Sequence, residues 1–267
     1  MTLTCVKFTV GAGVASVALN RPEQLNAVNP ELLRELWNVC ESIERDPSIK
    51  VVALTGAGRA FCAGADLKAV RELAPDPAKW NDFIRLWHEV YNRIETLPMP
   101  VIAGVHGFAL AGGLELALVA DLVVADEEAR LGDQHASFGL VAGGGGSQRL
   151  PRLVGVRRAK ELMLLGGWLT AQQALEWGLV NRLAPAGKLG ETVEELARAL
   201  ALKSGSANRT VKALVNRALD TDLASGLEME IALVGAHMRS ADAAEGLRAF
   251  VEKRTPVFPG GQEGRRC

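Results

Sequence analysis

Gly107–Asp121 reads GFALAGGLELALVAD. A short apolar segment meets the small residues Ala111-Gly112-Gly113. The chain then runs into an apolar helix carrying one carboxylate, Glu115. A second segment of similar build, Phe61–Lys68 (FCAGADLK), lies upstream. Ala and Gly leave backbone N–H groups open to a ligand. Two such groups, one from each loop, can converge on one oxygen and stabilise a developing oxyanion. Each loop read alone is also compatible with a plain tight strand-to-helix turn. Together, each behind a strand, they point to chemistry at a carbonyl or thioester.

Working outward, the chain alternates strands and helices. Val14–Asn20 reads as a strand followed by the turn Arg21-Pro22. Asn29-Pro30 starts a helix whose apolar face is Leu32, Leu33, Leu36, Val39, Cys40 and Ile43. Val51–Thr55 is a short buried strand. Trp80–Leu97 carries Phe83, Ile84, Trp87, Val90, Tyr91 and Ile94 at helical spacing and is stopped by Pro98 and Pro100. Val101–Val105 is a strand, Gly112–Ala120 a helix and Leu122–Ala125 a strand. This order predicts an α/β fold of repeated strand–strand–helix units. Beyond Gly187 the pattern is all helical, with helices near 189–203, 208–219, 222–238 and 242–253. The expected division is a core over 1–186, a helical extension over 187–258 and a flexible tail over 259–267.

Composition narrows the partners. The chain has 267 residues and a net charge of −1, so no strong pull on nucleic acid or a membrane surface is expected. Its longest apolar runs, such as Val101–Ala111, are too short to span a bilayer. Cys5, Cys40, Cys62 and Cys267 form no C-x-x-C pair, which fits a reduced, cytoplasmic setting. His88, His106, His135 and His237 have no i,i+4 partner, so no metal site is expected. The glycine run Gly143–Gly146 lacks a dinucleotide-binding context and reads as a tight turn allowing close backbone approach.

Ile102–Leu122, IAGVHGFALAGGLELALVADL, resembles the signature of the enoyl-CoA hydratase/isomerase (crotonase) family. The resemblance continues through NRPEQLNA at 20–27, TGAGRAFCAGADLK at 55–68, GGGGSQRLPRLVG at 143–155 and AFVEKRTPVF at 249–258. It implies a crotonase-like spiral of β-β-α units with a C-terminal helical trimerisation region, in a homotrimer or dimer of trimers. It implies that the N–H groups of Ala65 and Gly112 form an oxyanion hole for a CoA thioester. Ala63, Asp66, Leu67 and Lys68 would line the CoA groove. Phe250 and Lys253 match residues that reach the CoA of a neighbouring subunit. The plainer alternatives are a solvated charge for Lys68, and a helix face with one core Phe and one surface Lys for the last pair.

Glu115 sits between Leu114 and Leu116. Burying a carboxylate costs several kcal/mol, about 2–7 or more, unless it is paired or used. The resemblance places a catalytic Glu there. It also implies a second catalytic Glu twenty residues later, where this chain has His135, in LGDQHASFG. Ala142 likewise stands where the family commonly has Pro. Imidazole donates or accepts a proton near neutral pH, so Glu115 and His135 can form an acid–base pair. The same change can instead support another reaction, or His135 can be a polar pocket residue without a proton role. Asp133 substitutes only if the loop differs. His88 is a further pocket candidate, because related chlorobenzoyl-CoA dehalogenases carry a functional His on the matching helix. Their nucleophilic Asp has no counterpart in Gly143–Ser147, which disfavours dehalogenation. Trp80, Trp87 and Tyr91 read as core before they read as pocket.

The expected activity is hydration of a 2-enoyl-CoA, an acyl-CoA thioester, within fatty-acid metabolism. No cofactor is implied, CoA arriving as part of the substrate. The rivals are isomerisation, decarboxylation or hydrolysis by the same residues, or a CoA-binding scaffold without turnover.

Overall fold

The computed structural model describes residues 3–258, so the tail expected over 259–267 lies outside the described residues. The strands are β1 (Val6–Gly11), β2 (Val14–Leu19), β3 (Val51–Gly56), β4 (Val101–Val105), β5 (Phe108–Leu110), β6 (Leu122–Asp126), β7 (Arg130–Gly132), β8 (Trp168–Thr170) and β9 (Arg182–Ala184). The helices of the first half are α1 (Pro30–Arg45), α2 (Leu67–Leu73), α3 (Pro77–Thr96) and α4 (Gly112–Leu118). Those of the second half are α5 (Gly146–Val154), α6 (Val156–Leu165), α7 (Ala171–Glu176), α8 (Leu189–Ala201), α9 (Gly205–Arg217), α10 (Leu223–His237) and α11 (Ala241–Val251).

The main sheet runs β1-β2-β3-β4-β6-β9, parallel except for the β1/β2 hairpin. A smaller sheet runs β5-β7-β8. Successive units send one strand to the main sheet and the next to the smaller one: β4 then β5, β6 then β7. After β3 the same role falls to Cys62, which bridges to Ala109 of β5. This is the expected β-β-α spiral. It stacks the Cys62 loop beside the turn that opens α4.

Local chemistry places the helix ends. The Asn29 side chain accepts the Leu32 N–H at 2.8 Å, with Pro30 at the first helical position. Such a cap is worth about 1 kcal/mol. α3 begins at Pro77 rather than Trp80, because Asp76 caps Ala78 N and Lys79 N and Pro77 fits the first turn. α4 stops at Leu118, short of the expected Ala120. Asp121, a little further on, donates its N–H to Val101 O and so joins the sheet. α1 buries its predicted face. The short strands β5, β7, β8 and β9 and the helices α2, α5, α6 and α7 add to the elements that the sequence pattern predicts.

The first helix of the expected extension is built into the core. α8 packs Leu189, Val193, Leu196, Ala197 and Ala201 against Val51, Ala53, Ile102 and Val124 of the main sheet. Beyond it, α9 is pinned by Lys212. The Lys212 ammonium donates to Met99 O at 3.1 Å and to Asp121 Oδ2 at 2.6 Å. Lys212→Ala leaves Asp121 without its counter-charge in a largely buried site. It is expected to cost about 3 kcal/mol, the low end for a broken buried pair because Asp121 keeps some exposure, read as a lower midpoint in urea unfolding. An unchanged midpoint would show the pair to be dispensable. α9, α10 and the turns that follow them expose Val211, Val215, Leu219, Leu223, Leu227, Ile231, Val234 and Met238, apolar residues spaced every three to four positions. No helix among the described residues is long and apolar enough to cross a membrane.

Candidate active site

Two loops meet where α4 begins. Val28 N bonds to Gly64 O and Asp66 N to Val28 O, so the Ala65 N–H between them points the other way. Gly112 opens α4, where a first-turn N–H has no intrahelical acceptor. Among the described residues neither amide makes a hydrogen bond. The loops touch closely: a Cβ built on Gly64 would stand 3.4 Å from Gly112 N, and one on Gly113 would stand 2.0 Å from Cys62 O. Ala111, just before Gly112, has φ 49° and ψ −117°. Such a conformation costs a non-glycine residue about 1–3 kcal/mol. The Tyr91 hydroxyl, fully buried, donates to Gly112 O at 2.9 Å and fixes the next peptide.

Glu115 lies one turn into α4 and is 2 % exposed. Its Oε1 accepts the N–H groups of Gly144 and Gly146, both at 2.8 Å. The glycine run permits this approach. A Cβ on Gly144 would meet Glu115 Oε2 at 2.6 Å, and one on Gly146 would meet Oε1 at 3.0 Å. Arg149 braces the run by pairing with Glu95 at 2.6 Å and donating to Asn92 Oδ1 at 2.6 Å. Burial pushes the Glu115 carboxyl up, while the two amides and His135 pull against it. The net shift is upward.

His135 stands close enough for its charge to act on Glu115. Its Nδ1 lies 3.0 Å from Oδ1 of Asp133, and the His135 N–H donates to the same oxygen at 3.2 Å. The Asp133 side chain is 3 % exposed. Held this way, Nδ1 carries the proton and Nε2 is the nitrogen left to work. Burial pulls the imidazole pKa down. The hydrogen bond to Asp133, its charge and that of Glu115 outweigh burial, so the net shift is upward. The loop is anchored because Gln134 Nε2 donates to Gly166 O. The sequence reading gives Asp133 only as a possible substitute for His135. The signal for its bracing role is an acid two residues from the histidine in Gly132-Asp133-Gln134-His135.

The other expected contacts are distributed differently. Ala63 N is taken by Leu25 O at 3.0 Å. Asp66 caps α2 through Lys68 N at 2.9 Å and pairs with Arg21 at 2.7 Å. Burial raises its pKa, but the Arg21 contact and backbone bonds outweigh it and leave the carboxyl lowered. Leu67 and Lys68 are exposed at the lip of the loop. Phe250 and Lys253 are exposed at the end of α11. His88 is half-buried, its Cε1 3.9 Å from a Cβ built on Gly145. It therefore faces the glycine run from α3. Trp87, read as core, is buried but covers the site as well. A Cβ on Gly112 would strike its Cζ2 at 2.4 Å. Cys62 is fully buried with its thiol pushed up to about 12 by burial, so it is no nucleophile. Cys5, Glu31 and Glu35 bring ligand atoms within 4.8 Å of one another. Glu35, however, accepts the N–H groups of Thr4, Cys5 and Val6, which makes it a structural anchor.

Two unbonded amides beside a buried carboxylate and an imidazole form a site for moving protons around an oxyanion. The profile of the enoyl-CoA hydratase/isomerase family matches residues 9–262. YngF of Bacillus subtilis, named for that family, is 42% identical over 257 residues, covering 96% of this chain and 98% of its own. The 1,2-epoxyphenylacetyl-CoA isomerase of Escherichia coli is 38% identical, covering 94% and 97%. The crystal structure of an enoyl-CoA hydratase from Bacillus anthracis superposes with a TM-score of 0.91 at 38% identity, covering 97% and 100%.

Proposed function

Since the chain belongs to the enoyl-CoA hydratase/isomerase family and is an enzyme of the hydratase type, we propose that it adds water across the 2,3-double bond of a 2-enoyl-CoA by an acid–base pair of Glu115 and His135. The thioester oxygen binds the N–H groups of Ala65 and Gly112. Glu115 takes a proton from water as its oxygen bonds to C3. The electron pair of the double bond moves into a thioester enolate, whose charge the two amides and the N-terminus of α4 stabilise. The protonated Nε2 of His135 then delivers a proton to C2. Transfer of the proton from Glu115 to His135 resets the site. No metal or redox group is needed in this scheme.

The observation carrying this reading is the placement of Glu115. Its Oε1 is held by Gly144 and Gly146, its other oxygen makes no hydrogen bond among the described residues, and its charge and that of a His135 braced by Asp133 act on one another. A carboxylate kept 2 % exposed in an apolar helix is costly unless it is used. The chain is read as a homotrimer or dimer of trimers. The exposed apolar residues of α9 and α10 support that assembly, in which Phe250 and Lys253 reach a neighbour's CoA. Lys68 and Leu67 at the lip meet the CoA itself. His88 lines the acyl side. The lack of a C-x-x-C pair supports a cytoplasmic location, and an acyl-CoA substrate supports a place in fatty-acid metabolism.

The test is incubation with 2-enoyl-CoA esters of varied chain, following loss of conjugated thioester absorbance and product mass. A gain of one water is expected. A product of unchanged mass would instead favour an isomerase, in line with the epoxide isomerase among the relatives. In the same assay, kcat is expected to be bell-shaped in pH. The rate falls on acidification as Glu115, raised above the ordinary carboxyl range, takes its proton. It falls again on alkalisation as His135, raised above free imidazole, loses its proton. A flat profile across both limbs would remove the pair from the mechanism.

A further inference from the structure

Trp87 carries an anomaly. It is 4 % exposed, yet its indole Nε1–H has no hydrogen-bond partner among the described residues. A buried N–H left unsatisfied is costly, and native proteins rarely leave one without a reason. Its nearest phenol, Tyr91, already donates to Gly112 O. Tyr91 is near enough to the indole for the phenol's ionisation to sense it, but its oxygen does not accept a hydrogen bond from Nε1–H.

The orphan donor and the carboxylate approach the same side of Gly144. A Cβ built on Gly144 would lie 2.7 Å from Trp87 Nε1 and 2.6 Å from Glu115 Oε2, with no other residue's atom as near. The two atoms therefore flank one narrow gap, no wider than those two distances end to end, which a single oxygen can bridge, and a side chain at 144 would intrude on both. Glu115 Oε2 is the oxygen left free by the glycine amides. Trp87 also packs its Cζ2 over Gly112, so one rigid ring spans the oxyanion amide and the carboxylate. An oxygen in the gap can accept from Nε1–H and donate to Oε2, which is the hydrogen-bonding demand of a water about to be deprotonated.

We propose that Trp87 is a positioning residue: its indole N–H holds the attacking water, and the 3-hydroxyl of the product, against Glu115 Oε2. Donation from the indole leaves a lone pair on the water oxygen to attack C3, while its proton points to Glu115. The fixed edge-to-face stack Phe83–Trp87–Tyr91, at 5.3 and 5.8 Å, holds the ring in place. This inference rests on the hydratase reading above.

The test compares wild type, Trp87→Phe and Gly144→Ala on crotonyl-CoA. Trp87→Phe keeps an aromatic ring and removes the donor. Gly144→Ala keeps the donor but drives a methyl between Nε1 and Oε2, against both. Both are expected to lower kcat about tenfold or more with KM changed less than about threefold. The inhibition constant of saturated butyryl-CoA should stay near wild type in Trp87→Phe, because that ligand has no group in the gap. A kcat for Trp87→Phe within about twofold of wild type would overturn the inference. So would a butyryl-CoA constant that weakens in step with kcat, since that marks a collapsed pocket. A wild-type enzyme that hydrates no enoyl-CoA overturns the hydratase reading, and this inference with it. Where the wild type hydrates normally, a loss in Trp87→Phe reports on the indole donor, whereas a loss in Gly144→Ala also includes displacement of Glu115.

Discussion

Glu115→Gln is expected to lower kcat for hydration by about a thousandfold, within the range measured for loss of a general base. The substitution is nearly isosteric. The amide oxygen of Gln can accept the Gly144 and Gly146 N–H groups at the 2.8 Å now spanned by Oε1. Its NH2 then occupies the place of Oε2, where it donates and cannot take a proton. The loss should appear equally in kcat and kcat/KM, because the base acts in the transition state. Stability should hold or rise, since burial already opposes the charged carboxylate. Steady-state kinetics with a thermal melt check both halves. A variant retaining a tenth or more of wild-type kcat would remove Glu115 from proton transfer.

Gly113→Ala is expected to be the most damaging single methyl. Its Cβ would stand 2.0 Å from Cys62 O and 2.7 Å from Cys62 C, both backbone atoms of the partner loop. Backbone cannot rotate away as a side chain can, so the Phe61–Asp66 loop and the start of α4 must separate. Overpacking of this kind costs about 3 kcal/mol or more. That corresponds to a fall in melting temperature on the order of 10 °C for a chain of this size. Separation also moves the Ala65 and Gly112 amides apart, so activity should fall further than stability implies. Melting and kcat measured on the folded fraction separate the two effects. A variant with wild-type melting and turnover would mean that the two loops are less tightly seated than these distances require.

The placement of Glu115 illustrates what pattern reading captures. An apolar helix with a single acid, opened by Ala-Gly-Gly, is a local signal, and α4 forms there. The Trp80–Leu97 periodicity likewise finds α3, missing only the first turn that Asp76 and Pro77 supply. Three-residue strands such as β5 and β7 are too short to show a period, so they emerge only from their pairing. Trp87 shows the opposite case. Helical spacing assigns it correctly to the buried face of α3, but periodicity cannot tell a ring edge in the core from one covering Gly112.

Residues near one another in the chain carry the fold class, the family, the two glycine-alanine loops and the oddity of His135. These depend on composition and spacing over a few turns, where side-chain period and backbone freedom act directly. Other features depend on packing across the chain. Gly144, 29 residues from Glu115, supplies one of the amides holding its Oε1. Asp133 turns its carboxylate onto Nδ1 of His135 instead of taking over its place. Asp66 spans 45 residues to reach Arg21. Such contacts satisfy individual donors and acceptors after the elements have docked, and no periodicity encodes which amide remains unbonded. On the proposed mechanism that remainder sets the chemistry of the site: the free N–H groups of Ala65 and Gly112, the second oxygen of Glu115 and the indole N–H of Trp87.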